Sequence, residues 1–170
     1  MLCICVSCSD FDKEEQKNRV ESLSKEISAI EQNFLEIRID SISTLKNSTY
    51  EVERRIKQNY IVETIDLDFG KKMDDFKRMR KMLGPLGKTD SRLRKSIEEE
   101  KEQLVKLTSD ISDGFGKRES YNEYIDFEKN KVTQIKVFYK EYVEIRAQFL
   151  KLYNTLYQEL YNVSITLNSE

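Results

Sequence analysis

Cys3, Cys5 and Cys8 crowd into the first eight residues of a 170-residue chain. Thiols in a C-x-C-x-x-C arrangement could ligate a metal, attack an electrophile or carry a lipid. Structural zinc wants four Cys or His ligands, and the chain holds three Cys and no His, so no metal site is expected. A cysteine nucleophile needs a base to raise its thiolate fraction, and the missing histidine removes the commonest one. It also removes the Glu-x-x-His pairs on which di-metal carboxylate bundles are built. The acidic clusters Asp74-Asp75 and Glu98-Glu99-Glu100 do not replace them. Neighbouring positions on a helix point about 100° apart and do not converge on one ion, which makes these solvated faces. With no Gly-rich phosphate loop after a strand and no serine elbow, neither a catalytic residue nor a cofactor is expected, and the chain does not read as an enzyme.

Lipid attachment is the remaining chemistry. Met1 to Val6 are apolar, and Val6-Ser7-Cys8 places a small residue before a cysteine at the end of that run. Ser9, Asp10, Asp12, Glu14 and Glu15 follow as a polar and acidic segment. Over about fifteen residues this stretch resembles the lipobox and export segment of bacterial lipoproteins of the Bacteroidota type. The resemblance implies that residues 1–8 are a signal remnant, that Cys8 carries the lipid, and that the protein is anchored in the cell envelope, in the outer membrane. A full signal peptide has a basic start and 7–15 apolar residues, so the true start lies upstream of Met1 or the signal is degenerate. One acyl chain holds a protein only marginally, and firm anchoring takes a second signal. Two alternatives stay open: reversible palmitoylation of the cysteines in a eukaryotic protein, and a soluble cytoplasmic coiled-coil adaptor or assembly protein in which they are incidental.

A second signal is visible around Pro85. Lys71, Lys72, Lys77, Arg78, Arg80, Lys81, Lys88, Arg92, Arg94 and Lys95 are opposed there only by Asp74, Asp75 and Asp90. The last eight of these cations are candidates for contact with an anionic membrane surface, each worth about 1 kcal/mol close to it. Across the whole chain 29 basic residues meet 31 acidic ones, a net charge of −2, which argues against a nucleic-acid binder. A third candidate is Tyr153, Tyr157 and Tyr161, repeating every four residues beside Leu152, Leu156 and Leu160. Tyrosine offers large apolar contact area with a tip that tolerates water, which suits docking of a partner protein or a second copy. Asn47-Ser48-Thr49 and Asn162-Val163-Ser164 match the glycosylation triplet, which matters only in a secretory eukaryotic protein.

The elements that must position these residues are all helical. Charged residues make up 35% of the chain and apolar ones 38%, with five Gly and one Pro. That composition suits thin helices sharing a seam better than a thick globular core. Val20, Leu23, Ile27, Ile30, Phe34 and Ile37 keep a 3-4 spacing over a helix from Asp12 to Leu45. The frame then slips and continues as Ile42, Leu45, Thr49, Val52 and Ile56. Ser48 and Glu51 have capping-box spacing, so a break is expected near Asn47 and a new start near Thr49, or else one bent helix running to Ile65.

The second helix would turn Val52, Ile56, Val62, Ile65, Phe69, Phe76 and Leu83 inward, with a kink at Gly70. Gly84-Pro85-Leu86-Gly87 reads as a tight turn. A third helix from Asp90 or Ser91 carries Leu93, Ile97, Leu104, Leu107 and Ile111 and ends at Asp113-Gly114-Phe115-Gly116. Ser120 and Glu123 cap a last helix from Tyr121 to Leu167. The expected architecture is all-α, a single domain over residues 9–170 forming an elongated antiparallel bundle or coiled coil of three to four long helices. In that arrangement the Pro85 turn and its cations share an end with Cys8. In the alternative, one long hairpin folded about Pro85, they lie at the far tip.

Overall fold

The computed structural model describes the backbone of residues 7–61, 64 and 66–167, with side chains from residue 12 onward. Cys3, Cys5, the side chain of Cys8, Val62 and Ile65 lie outside the described residues. The fold is an all-α bundle in which long helices pack on one another, and no strand occurs among the described residues. Four α-helices follow in order: α1 (Ser7–Ile37), α2 (Ile42–Asn59), α3 (Leu67–Asp113) and α4 (Tyr121–Thr166). The chain divides into two compact units, Met1–Arg38 with Ser91–Tyr139 and Ile39–Asp90 with Lys140–Glu170.

The first unit packs α1 against the C-terminal part of α3 and the N-terminal part of α4. Its core is the expected stripe of α1, Val20, Leu23, Ile27, Ile30 and Phe34, against Leu93, Ile97, Leu104, Leu107 and Ile111 of α3 and Tyr121, Ile125, Val132 and Ile135 of α4. Cross-helix bonds fix the register. Lys13 donates to the Ser112 carbonyl at 2.5 Å and Lys101 pairs with Glu31 at 2.6 Å, so α1 and α3 are antiparallel. Arg19 pairs with Asp126 and Lys136 with Glu26, both at 2.6 Å, so α1 and α4 run the same way. Gly114 and Gly116 have φ of +67° and +85°, left-handed values that glycine adopts without strain. They end α3 where expected. The Tyr121 hydroxyl, 2.8 Å from the Asp110 carbonyl and 2.7 Å from that of Phe115, clamps the turn into α4.

In the second unit α2 packs antiparallel to the N-terminal part of α3, with Arg80 bonded to Glu53 and Gly87 against Ile42. The C-terminal part of α4 adds Tyr142, Phe149, Leu156 and Leu160 to a core of Val52, Ile56, Phe76, Met79, Leu83 and Leu86. Ile39, in the short link between α1 and α2, donates its N–H to the Tyr142 hydroxyl at 2.9 Å.

Four sequence expectations are corrected. No turn interrupts residues 84–87: α3 passes through Pro85 as one 47-residue helix, which removes both the bundle with a Pro85 turn and the hairpin folded there. Pro85 lacks the N–H that would bond the Lys81 carbonyl, and both residues lie on the exposed side of the helix, where water can take that N–H's place. The local cost of about 3 kcal/mol is set against burial of Met79, Leu83 and Leu86 in adjacent turns, at about 1.5–3 kcal/mol each. The break expected near Asn47 falls at residues 38–41. Ser48 and Thr49 sit inside α2, where their hydroxyls donate back to the Leu45 carbonyl at 3.2 and 2.6 Å and do not cap. The second helix expected to carry Val52 through Leu83 is two, α2 ending at Asn59 and α3 starting at Leu67, so Gly70 lies in the first turn of α3, where it cannot kink a helix interior. Asp66 caps that turn, its Oδ1 accepting from the Asp68 and Phe69 N–H groups at 3.0 Å.

Candidate functional site

The cationic residues divide between the two units. In the second, Lys77, Lys81 and Lys88 are exposed with Pro85, at a 4-7 spacing that keeps them on one side of α3. Arg78 is bonded to Asp75 one turn back. Arg80 faces another way: its Nε donates to Glu53 Oε2 at 2.5 Å and its guanidinium lies 5.8 Å from the Tyr50 ring centroid. In the first unit, Arg92 lies over the Phe138 ring at 4.0 Å and Lys95 pairs with Glu99 at 3.6 Å. Arg94 lines a groove with Phe34, Leu35 and Ile97, edged by Glu31, Glu98 and Glu102. Because α3 is continuous, these cations flank no turn.

The three tyrosines of α4 form a ladder. Tyr153 and Tyr157 stack at 4.6 Å between centroids and Tyr157 and Tyr161 at 5.9 Å, while Phe149 meets Tyr153 at 5.4 Å. The four-residue repeat makes this geometry, since side chains at i and i+4 lie one above the other. Phe149, Leu156 and Leu160 are buried and hold the helix, while exposure rises along the ladder to 37% at Tyr161.

Two buried carboxyl sites were not read as such from the sequence. Glu53 accepts from Lys57 at 2.6 Å and from Arg80 at 2.5 Å. Burial alone would raise its pKa, but these two cations outweigh it and hold the carboxyl below its ordinary value. Glu100 is the second, and the solvated face expected of Glu98-Glu99-Glu100 holds only for its first two members. Glu100 is 2% exposed and lies beside Glu128, which is 9% exposed. Burial and then the Glu128 charge push the Glu100 carboxyl up to about 7, with Lys131 pulling the other way.

The missed signal was the 3-4 spacing itself. Glu100 fills the step between Ile97 and Leu104, and Glu128 the step between Ile125 and Val132. A seven-residue gap in an apolar stripe marks a polar residue in the seam.

Among the described residues no three His, Cys, Asp or Glu side chains converge to hold a metal ion, and no helix is long and apolar enough to cross a membrane. No protein-family model, curated protein or solved structure matches the chain.

Proposed function

We propose that this chain is a non-catalytic interaction module of the bacterial envelope, held at the membrane by lipid on Cys8 and presenting a helical bundle to a protein partner. The tyrosine ladder carries this reading. Three stacked rings, half-buried at one end and exposed at the other, offer rigid amphipathic contact area at low entropic cost, the kind of surface enriched at protein interfaces. Anchoring is supported by Val6-Ser7-Cys8 and the acidic run behind it. Lys77, Lys81 and Lys88 supply exposed cations suited to anionic headgroups.

Three experiments test this. Intact-mass spectrometry of the protein expressed from its native locus should find a mature chain that begins at Cys8 and carries acyl mass, and Cys8→Ala should move it from the membrane fraction to the soluble one. A chain retaining Met1 to Ser7 unmodified overturns the anchor and favours the soluble adaptor. For the partner surface, benzoylphenylalanine placed at Tyr157 should give one discrete photo-adduct in cells and none when placed at exposed Lys129. Equal adducts at both positions, or none at either, would remove the ladder as a docking face.

A further inference from the structure

Glu100 projects from α3 and Glu128 from α4 into the seam of the first unit. Both carboxyls are withdrawn from water, Glu100 is close enough to Glu128 to feel its charge, and two facing carboxyls can bond only when one carries a proton. Glu128 is paired with Lys131 at 3.0 Å, on the same helix, so one cation serves two acids, and Glu100 Oε1 has no protein donor. Charged groups on the adjoining turns of the three helices are paired with one another. On α3, Lys101 is bonded to Glu31 of α1 at 2.6 Å and the exposed Glu99 is paired with Lys95. On α1, Glu26 is tied to Lys136, and the seam side consists of Leu23, Ile27 and Ile30.

We propose that the Glu100–Glu128 pair is a proton-operated latch: one shared proton joins α3 to α4, and its loss puts two like charges in the seam and loosens this unit. The direction in pH follows from the raised folded-state value of about 7 against an ordinary 4.5. The stabilisation is complete below about 4.5, where the unfolded chain is protonated too. It is lost as pH rises through about 7, because from 4.5 upward folding must keep a proton that the unfolded chain releases. The bundle is therefore tighter in mildly acidic surroundings and looser above neutrality, which adds a response to pH that the interaction module by itself does not require.

Urea unfolding of the whole protein between pH 5 and 8.5 tests it. The wild type should lose roughly 10- to 100-fold in its folding equilibrium constant over that range. Glu100→Gln, which keeps the shape and cannot ionise, should be nearly flat and more stable than wild type at pH 8. An identical slope in wild type and Glu100→Gln overturns the latch. Should Glu100→Gln fail to fold, the carbon-13 shift of the Glu100 carboxyl in the wild type still decides: titration near 7 supports the latch, and titration near 4.5 overturns it. Glu128→Gln should move that titration to lower pH. Backbone hydrogen exchange in residues 97–104 and 125–132, corrected for intrinsic rate, should quicken between pH 5 and about 7.5 in the wild type and not in Glu100→Gln.

Discussion

Glu53 in the second unit and Glu100 in the first are both withdrawn from water, at 4% and 2% exposure, yet one is pushed toward its charged form and the other toward its protonated form. Desolvation acts on both in the same direction and is the largest influence on each. The neighbours decide the sign. Glu53 receives two cations from two helices, Lys57 of α2 and Arg80 of α3. Glu100 receives a second carboxyl and shares with it one lysine, Lys131, which is paired with Glu128. Burial thus sets how much is at stake for an ionisable group, and the groups contributed by the facing helix set which way it titrates. One seam is pinned by an ion pair and the other by a proton, and only the second depends on pH near neutrality.

The largest break in this comparison should come from Arg80→Ala. Severing a buried pair costs about 3–5 kcal/mol. Here Arg80 is 29% exposed and Lys57 remains, so about 2 kcal/mol is expected from urea unfolding at pH 7. Because the Glu53 carboxyl is held below its ordinary value, the stabilisation it gives is present above about 4.5 and disappears as pH falls through the folded value. The deficit of Arg80→Ala should therefore shrink in acid. A deficit unchanged at pH 3 would assign the loss to packing of Arg80 on Tyr50 and not to its charge.

A smaller effect should follow from giving the first unit what the second already has. Glu128→Lys replaces the like charge beside Glu100 with a cation, which favours the ionised form. At pH 8 this variant should exceed wild type by about 1 kcal/mol, tempered by repulsion from Lys131 and by the cost of holding a lysine near the seam. At pH 5 the difference should vanish or reverse. A loss of stability at pH 8 would mean that the seam cannot accommodate the longer side chain, and that geometry as well as charge separates the two sites.

How far these sites were legible in sequence depended on whether the signal was periodic or pairwise. The stripe of α1, the end of α3 at Gly114 and the start of α4 at Tyr121 were plain, because they rest on helix period, on glycine as a helix stop and on the Ser120 and Glu123 spacing of a helix start. Pro85 was misread by a local rule against which the period already argued. Phe76, Met79, Leu83, Leu86, Asp90, Leu93, Ile97, Glu100, Leu104, Leu107 and Ile111 alternate steps of three and four without a slip. The spacing does slip between Ile37 and Ile42, where the helix stops. Taken over the whole stretch, the period outranks the proline and also places Asp90 and Glu100 in the seam. The tyrosine ladder was visible for the same reason, as a four-residue repeat. What the cations and carboxyls pair with was not visible, because Lys72 meets Glu159 and Arg80 meets Glu53 across 87 and 27 residues, and only the fold brings such partners together.

The smallest effect belongs to the other cation on Glu53. Lys57 lies one turn along the same helix, and its side chain is 58% exposed, so water screens its charge and can replace it. Lys57→Ala should cost about 0.5 kcal/mol at pH 7, the usual worth of an i,i+4 pair near the surface. Combined with Arg80→Ala it should cost more than the two single changes added together, because each cation partly covers for the other on one buried carboxylate. A double-mutant cycle in urea reads that excess directly. Strict additivity would show that the two cations act on Glu53 independently, whereas a Lys57→Ala cost near zero in both backgrounds would show that the contrast with Glu100 turns on a single guanidinium from the facing helix.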